Sequence, residues 1–414
     1  MRNLCALTLA LALVGGCAQS STQGPQPIPP SSPRWFATWT ASPSDAGPRP
    51  PRDSLDRTPT LVDQTVRLIV RTSIGGDRVR IRLSNEYGDR PLVVGSAHIA
   101  LRTSGSSTDA TTDRAITFDG KPALRLRPGA IAFSDPVAFS VPALRDLAIS
   151  LYLADSARLS TRHALALQTN YVRKGNAPSS PEFAADTSIF VWPFLVGVDV
   201  TNPGATGVIV AIGNSITDGA LSSRDANARW PNILAERLLA SGEPMKAVVN
   251  AGISGGRVLT YGAGPSALAR FDRDVLMTPG ITHVILLEGI NDIGRSAVDG
   301  VTAEDIIGGY RQLIVRAHER GIAIIGATLT PASPRAPFTS ALEARRVAVN
   351  AFVRNSGEFD GVIDFDKSTQ DPANPMQFLK AYDSGDHLHP GDVGYRAMGA
   401  SIDLSLFRRS VPPR

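Results

Sequence analysis

Beyond Pro203 the chain alternates regularly between two kinds of segment, and this alternation constrains its fold more than any other feature. Apolar, strand-like runs occupy residues 208–212, 247–249, 282–287, 322–327 and 362–365. Between them, helix-like runs occupy 230–240, 303–320 and 342–352, and a last helix follows Pro390. Strand, helix and strand in succession predict a parallel sheet covered on both faces, because a parallel pair needs a crossover that brings the chain back. In such sheets a site lies at the carboxyl ends of the strands. Ser215 follows the first run, Gly255 the second and Asn291 the third.

The preceding half reads differently. From about residue 60 to 200 the patterning has period two, with turn signals between runs. Val66, Leu68 and Val70 alternate with Arg67 and Arg71, while Val79, Ile81 and Leu83 alternate with Arg78, Arg80 and Arg82. Gly75-Gly76 lies between these runs, which predicts a hairpin with one apolar and one basic face. Runs at 123–127, 130–133, 147–153, 164–172 and 189–198 continue the pattern without a long helix. An all-β sandwich, jelly-roll-like, is expected over 35–200, ahead of an α/β domain over 205–410. A length of 414 residues, beyond the usual reach of one core, agrees with two domains. The polar, Pro-rich stretch 42–59 reads as a surface loop. Trp35-Phe36-Ala37-Thr38-Trp39 and Trp192-Pro193-Phe194 stand at the two ends of the β region, where aromatics pack a core or a seam.

Four short segments carry the chemistry. They are Gly213-Asn214-Ser215-Ile216-Thr217-Asp218-Gly219, Asn250-Ala251-Gly252-Ile253-Ser254-Gly255, Glu288-Gly289-Ile290-Asn291-Asp292 and Asp386-His387-Leu388-His389-Pro390. Acyl transfer needs a nucleophilic hydroxyl, a base, an orienter for that base, and donors aimed at the oxyanion of the tetrahedral intermediate. Singly, each segment has an ordinary reading: Ser215 as a helix cap, Asn291-Asp292 as turn chemistry, Gly255 as loop flexibility. Together they supply one of each part. His387 and His389 compete for the base, and Asp383 competes with Asp386 for the orienter. His98, His163, His283 and His318 lie in segments that ask for no chemistry and read as surface or satisfied structural residues.

Taken in order and spacing, the four segments resemble the SGNH/GDSL hydrolase superfamily over roughly residues 205–410. The resemblance implies a flavodoxin-like three-layer α/β/α fold and an esterase activity without a cofactor. Carried over by position, it implies Ser215 as nucleophile, His389 as base, three residues on from Asp386 as its orienter, and the Ser215 N–H, Gly255 and Asn291 as the oxyanion hole. The usual Gly-Asp-Ser reads Gly-Asn-Ser here, so Asn214 is expected to alter local hydrogen bonding more than mechanism. Gly252-Ile253-Ser254-Gly255-Gly256-Arg257, Ala269-Arg270-Phe271-Asp272-Arg273-Asp274 and the run from Glu288 to Gly294 look like the group containing xylanase-cluster arylesterases. The implied substrate is a small ester or an acetylated glycan, with a short-chain acyl group such as acetyl on plant polysaccharide. A lysophospholipase, a thioesterase or a general arylesterase would use the same parts, and a surface glycan-binding lipoprotein is the reading outside enzymes.

Other chemistries find little support. The formal charge of +4 is scattered, with Arg345-Arg346 and Arg408-Arg409 among the longest basic runs, so a nucleic-acid partner is not expected. A zinc site would need three or four converging ligands, and no H-E-x-x-H or paired-cysteine motif is present. No metal is therefore expected. The Gly-rich segment 252–264 has neither G-x-G-x-x-G spacing nor a P-loop Lys.

At the N-terminus Arg2 precedes an apolar stretch over 4–14, then Gly15, Gly16 and Cys17. This is the layout of an export signal, too short to span a membrane. Val14-Gly15-Gly16-Cys17 resembles the bacterial lipobox, which implies a lipoprotein signal over 1–17 in which Cys17 is diacylated and becomes the mature N-terminus. Residues 18–34, rich in Ser, Gln, Gly and Pro, would then form a tether. Ala18 after the Cys resembles sorting to the outer membrane, so a lipid-anchored outer-membrane protein is expected. Cys5 and Cys17 are the only cysteines, so no disulfide is expected in the folded part.

Overall fold

Every residue of the strand Gly207–Gly213 is buried, because it lies inside a five-stranded parallel sheet with neighbours on both edges. Across the sheet the strands run Lys246–Gly252, Gly207–Gly213, Ile281–Leu287, Ala323–Ala327 and Gly361–Ile363. The chain therefore starts in the second position and reverses direction of growth between the first and third strands, the place where open α/β sheets leave a crevice. Helices Trp230–Ala240, Ala303–His318, Ser340–Asn355 and Asp392–Ser401 supply the crossovers and the last element, close to the expected bounds. Thr302 caps one of them in a reciprocal box with Asp305, and Thr339 caps another.

The coordinates are those of a computed structural model, which describes residues 34–45, 59–334 and 338–408. The export signal, Cys17 and the tether up to residue 33 lie outside the described residues, as do residues 46–58 of the expected surface loop. The start of that loop differs from expectation: Ser42 and Ser44 are buried, and Ser44–Asp45 pairs with Thr161–His163. Among the described residues no helix is long and apolar enough to cross a membrane.

Ahead of the parallel sheet lies a substantial β-rich region, which among the described residues has two small antiparallel sheets and two large ones. One contains Trp35–Thr40, Leu195–Thr201 and Gly76–Ser84, with Ile131–Phe133 and Val137–Val141 both pairing with the last. The other runs Thr187–Ile189, Asn170–Lys174, Gln64–Arg71, Asp146–Leu153 and Leu92–Ser104. The expected hairpin between residues 66–71 and 79–83 is therefore not formed, since its two strands belong to different sheets. The linker crosses between them, Ser73 donating to the Thr38 carbonyl at 2.9 Å. The separation lets both apolar sets, Val66, Leu68, Val70 and Val79, Ile81, Leu83, enter one common core. At about 1.5–3 kcal/mol for each fully buried aliphatic side chain, this outweighs the local preference for a short turn.

Of the expected basic face only Arg78 is exposed. Arg67 is buried, its guanidinium donating to Ser150 Oγ and to the carbonyls of Ser106, Pro178 and Ser180 and lying over the Phe183 ring. Arg80 and Arg82 share the buried carboxylate of Asp199. The strand Leu92–Ser104, which pairs with Asp146–Leu153, gives no alternation signal in the sequence because Gly95, Ser96 and His98 interrupt it.

The β-rich region closes one edge of the parallel sheet. Lys246–Gly252 is an edge strand, and its outward groups find partners in the β-rich region: Val248 N–H donates to Ser73 Oγ at 2.8 Å, and the Asn250 carbonyl accepts from Thr40 Oγ1 at 2.9 Å. Unpaired edges invite association with other chains, and here side chains occupy the edge. Phe36, Trp39 and Trp192 join the same buried apolar cluster as Val208, Ile209 and Val210.

Candidate active site

At the carboxyl end of Gly207–Gly213 the chain turns into a one-turn helix, Ser215–Asp218. Asn214 caps it, its side-chain oxygen accepting from the Ile216 N–H at 3.0 Å. Gly219 ends it at φ +96°, where a side chain would also strike Arg229. Ser215 thus stands as the first helical residue at the mouth of the crevice.

His389 reaches this serine from the far end of the chain. Its Nε2 lies 2.7 Å from Ser215 Oγ and its Nδ1 lies 2.6 Å from Asp386 Oδ2. An ionised carboxylate only accepts, so Nδ1 carries the proton and Nε2 is left to accept from the serine hydroxyl. Asp386 Oδ1 in turn accepts from the Leu388 and His389 backbone N–H groups at 3.0 and 2.8 Å. Partial burial acts to raise the Asp386 carboxyl, but these N–H donors and the His389 ring outweigh it and hold the group down at about 2. His387 faces elsewhere: its Nδ1 lies 2.6 Å from Asp383 Oδ2, so the second histidine and second carboxylate pair with each other.

The two remaining segments meet each other, and Leu388, next to His389, lines the same cavity as they do. Gly255 adopts φ +78° and packs so tightly that a Cβ would lie 2.9 Å from that of Ala263. Among the described residues its N–H makes no hydrogen bond. Asn291, second residue of the helix Ile290–Asp299, donates one amide hydrogen to the Gly256 carbonyl at 2.8 Å, which leaves the other for a ligand. Gly255, Asn291, Ile290, Phe338, Leu342 and Leu388 line a cavity of about 290 Å³, to which Arg257 and Arg295 also contribute. The arrangement can take a proton from a hydroxyl and present donors to an anionic oxygen nearby.

Residues 211–397 match the GDSL-like Lipase/Acylhydrolase family. The protein is a carboxylic ester hydrolase with a GDSL-type domain. No curated protein matches the chain. Among solved structures it is similar to a GDSL-like lipase from Bacteroides thetaiotaomicron, at 18% identity over 49% of this chain and 89% of that one, with a TM-score of 0.37. It is also similar to an acetylxylan esterase from Geobacillus stearothermophilus, at 20% identity over 51% and 99% of the two chains, TM-score 0.38. An α/β hydrolase from the metagenome of Lake Arreo, Spain, aligns at 22% identity over 48% and 94%, again with a TM-score of 0.38.

Several residues around the candidate site were given no role of their own in the sequence reading. Glu288 is fully buried beneath it, with Oε2 3.5 Å from Arg270 Nη2. Burial pushes its carboxyl up to about 8, against the pull of Arg270 and with the nearby Asp292 adding to the rise. Arg270 also donates to the carbonyls of Gly213 and Ala251, so it ties the carboxyl ends of the first two strands together. Its place in the segment 269–274 was visible as resemblance alone. Asp292 accepts from Val258 and Leu259 N–H groups at 2.9 and 3.1 Å and so fixes the loop that follows Gly255. His163, read as a structural residue, is satisfied as expected, but its partner is Asp218 of the serine helix.

Proposed function

We propose that the esterase hydrolyses short-chain acyl esters, acetyl foremost, by a Ser-His-Asp mechanism. Ser215 Oγ attacks the ester carbonyl carbon while His389 Nε2 takes its proton. Asp386 holds the imidazole in the required tautomer and stabilises the imidazolium that forms. The carbonyl oxygen becomes an oxyanion, which the Ser215 and Gly255 N–H groups and the free Asn291 amide hydrogen receive. Collapse expels the alcohol, protonated by His389. Water then attacks the acyl-serine by the same route, with His389 again as base, and releases the carboxylic acid. The observation that carries this reading is the unbroken line from Ser215 Oγ through His389 to Asp386, with steps of 2.7 and 2.6 Å.

A short acyl group rests on the resemblance of the chemical segments, and the cavity beside Gly255 and Asn291, about 290 Å³, has room for the acyl group and part of the alcohol it is joined to. Acetylated plant polysaccharide as the alcohol side rests on the resemblance of 252–257, 269–274 and 288–294 to xylanase-cluster arylesterases. The same reading takes 205–410 as a flavodoxin-like hydrolase domain, supported by the strand order, and 35–200 as a sandwich-type β-domain bordering its cleft. It takes Cys17 as the lipidated residue of an outer-membrane protein, on sequence grounds. Mass spectrometry of the mature N-terminus tests the anchor, and an unmodified residue there rejects it.

The deciding experiment compares acetate release from acetylated xylan with hydrolysis of p-nitrophenyl esters from acetate to laurate. The expected profile peaks at the shortest chains and includes the polymer. A maximum at long chains would move the assignment to a lipid substrate.

A further inference from the structure

We infer that His163, supplied by the β-rich region, is a positioning residue that works as an imidazolium: it clamps Asp218, and through Asp218 the Ser254-Gly255 loop, so that loss of its proton sets the alkaline limit of activity. The inference rests on the reading of Gly255 as an oxyanion donor.

The geometry fixes the protonation. His163 ends the short strand Thr161–His163 and is buried. Its Nδ1 lies 2.9 Å from the Ser42 carbonyl oxygen and its Nε2 lies 2.9 Å from Asp218 Oδ1. A backbone carbonyl only accepts, and so does an ionised carboxylate, so both ring nitrogens must carry hydrogen. Asp218 Oδ2 accepts from the Ser254 N–H at 2.9 Å, and Arg229 is close by, donating through Nε to the Asp218 carbonyl.

The charges around the ring agree. Burial opposes a charge on His163, but Asp218 on the serine helix, with its hydrogen bond and that of Ser42, outweighs burial and raises the imidazole above its ordinary value. Arg229, at the start of the helix Trp230–Ala240, works in the opposite direction. Behind Ser42 the next charged groups are Arg270 and Asp274, which are paired with each other. On the remaining side lies the uncharged Trp192 ring, at 5.6 Å.

The two oxygens of Asp218 thus have divided duties. One holds the loop of the second segment, through the residue next to Gly255, and the other is held by the β-rich region. Neutral His163 would set a lone pair against an acceptor: with Nδ1 protonated Asp218 loses its partner or shifts toward Arg229, and with Nε2 protonated the ring loses its anchor at the Ser42 carbonyl and carries Asp218 with it. Either change moves Ser254 and the adjoining Gly255 N–H. Displacement of a catalytic donor by about 1 Å is enough to cost up to ~100-fold in rate.

The test is the pH dependence of kcat and KM in wild type, His163→Ala and His163→Gln. We expect His163→Ala to lower kcat by ~10- to 100-fold with little change in KM. His163→Gln, which keeps a donor toward Asp218 without titrating, recovers most of that loss and removes the alkaline fall in kcat. An unchanged alkaline limb in His163→Gln, or full kcat in folded His163→Ala, overturns the inference. If the variants do not fold, 15N-histidine NMR of the wild type decides. At the ordinary histidine pKa of about 6.5, where a free imidazole is half protonated, His163 should be mostly protonated on both ring nitrogens, and it should lose one proton where kcat falls. A neutral ring at the pH of maximal activity overturns the inference. Failure of the underlying reading is separately visible, as full kcat in folded Gly255→Ala, whose added Cβ would displace the loop against Ala263.

Discussion

The Nε2 of His389 lies 2.7 Å from the Oγ of Ser215, a residue 174 positions earlier in the chain. Two residues away, His387 points its Nδ1 at Asp383, and the exposed pair they form does not touch the serine. Substitution at the two positions should therefore separate sharply. His389→Ala is expected to lower kcat on p-nitrophenyl acetate by ~10,000-fold, and His387→Ala by no more than a few-fold. Equal damage in two folded variants would remove His389 from its assigned role.

Ser215 is the hydroxyl on that line, and in the proposed mechanism its backbone N–H, at the first turn of a helix, also faces the oxyanion. A serine-directed organophosphonate should label the wild type at Ser215 alone. Ser215→Ala should be folded, unlabelled and inactive. Labelling at another serine contradicts the assignment.

Asp386 is held down at about 2 through its N–H donors and the His389 ring. A carboxyl whose folded pKa is depressed adds stability above its unfolded value, about 3.9, and loses that contribution as pH falls through the folded value. Between about 4 and 2 the wild type should lose stability that Asp386→Asn does not lose, as read by circular dichroism during acid titration. At neutral pH Asp386→Asn should keep the fold and lose ~10,000-fold in kcat, because the amide can favour the wrong tautomer of His389. Undiminished activity in this variant would show that the orienter lies elsewhere.

Glu288 titrates in the opposite sense. Its folded value of about 8 exceeds the unfolded value of about 4.3, so across that window the folded chain keeps a proton that the unfolded chain has released. Stability from this group is complete below pH ~4.3 and falls as pH rises through about 8, with a slope of at most ~1.4 kcal/mol per pH unit. Glu288→Gln removes the titration and should gain on the wild type steadily from pH 5 to pH 8 in urea unfolding. Parallel pH dependences for the two proteins would show Glu288 to be ionised in the fold.

Removal of residues before Thr201 would uncover the edge strand Lys246–Gly252, strip Val248 and Asn250 of their partners Ser73 and Thr40, and expose the apolar surface under Phe36. His163 would be lost from Asp218 at the same stroke. Such a fragment should be poorly soluble and should show reduced kcat even on a small aryl acetate. A soluble fragment, fully active on small esters and impaired only on polymeric substrate, would instead make the β-rich region a glycan-binding module.

Local pattern was enough for the parallel sheet and for four chemical segments. The helix Trp230–Ala240 falls on the expected residues, and Ser215, Gly255 and Asn291 follow the strands to which they were assigned. Those features are encoded by neighbours: burial on both faces makes an apolar run, and a crossover makes a helical repeat. What the sequence could not reveal depends on contacts distant along the chain. The two strands read as a hairpin went to separate sheets because burial in a common core decided their partners, and the Arg67 face turned inward because Ser106, Ser150, Pro178 and Ser180 receive it. The choice between His387 and His389 had only a three-residue step to recommend it until each ring met a different carboxylate. His163 had no signal at all, since a lone histidine on a short strand has no pattern to read. Only the folding of the β-rich region against the serine helix brings its ring within 2.9 Å of Asp218.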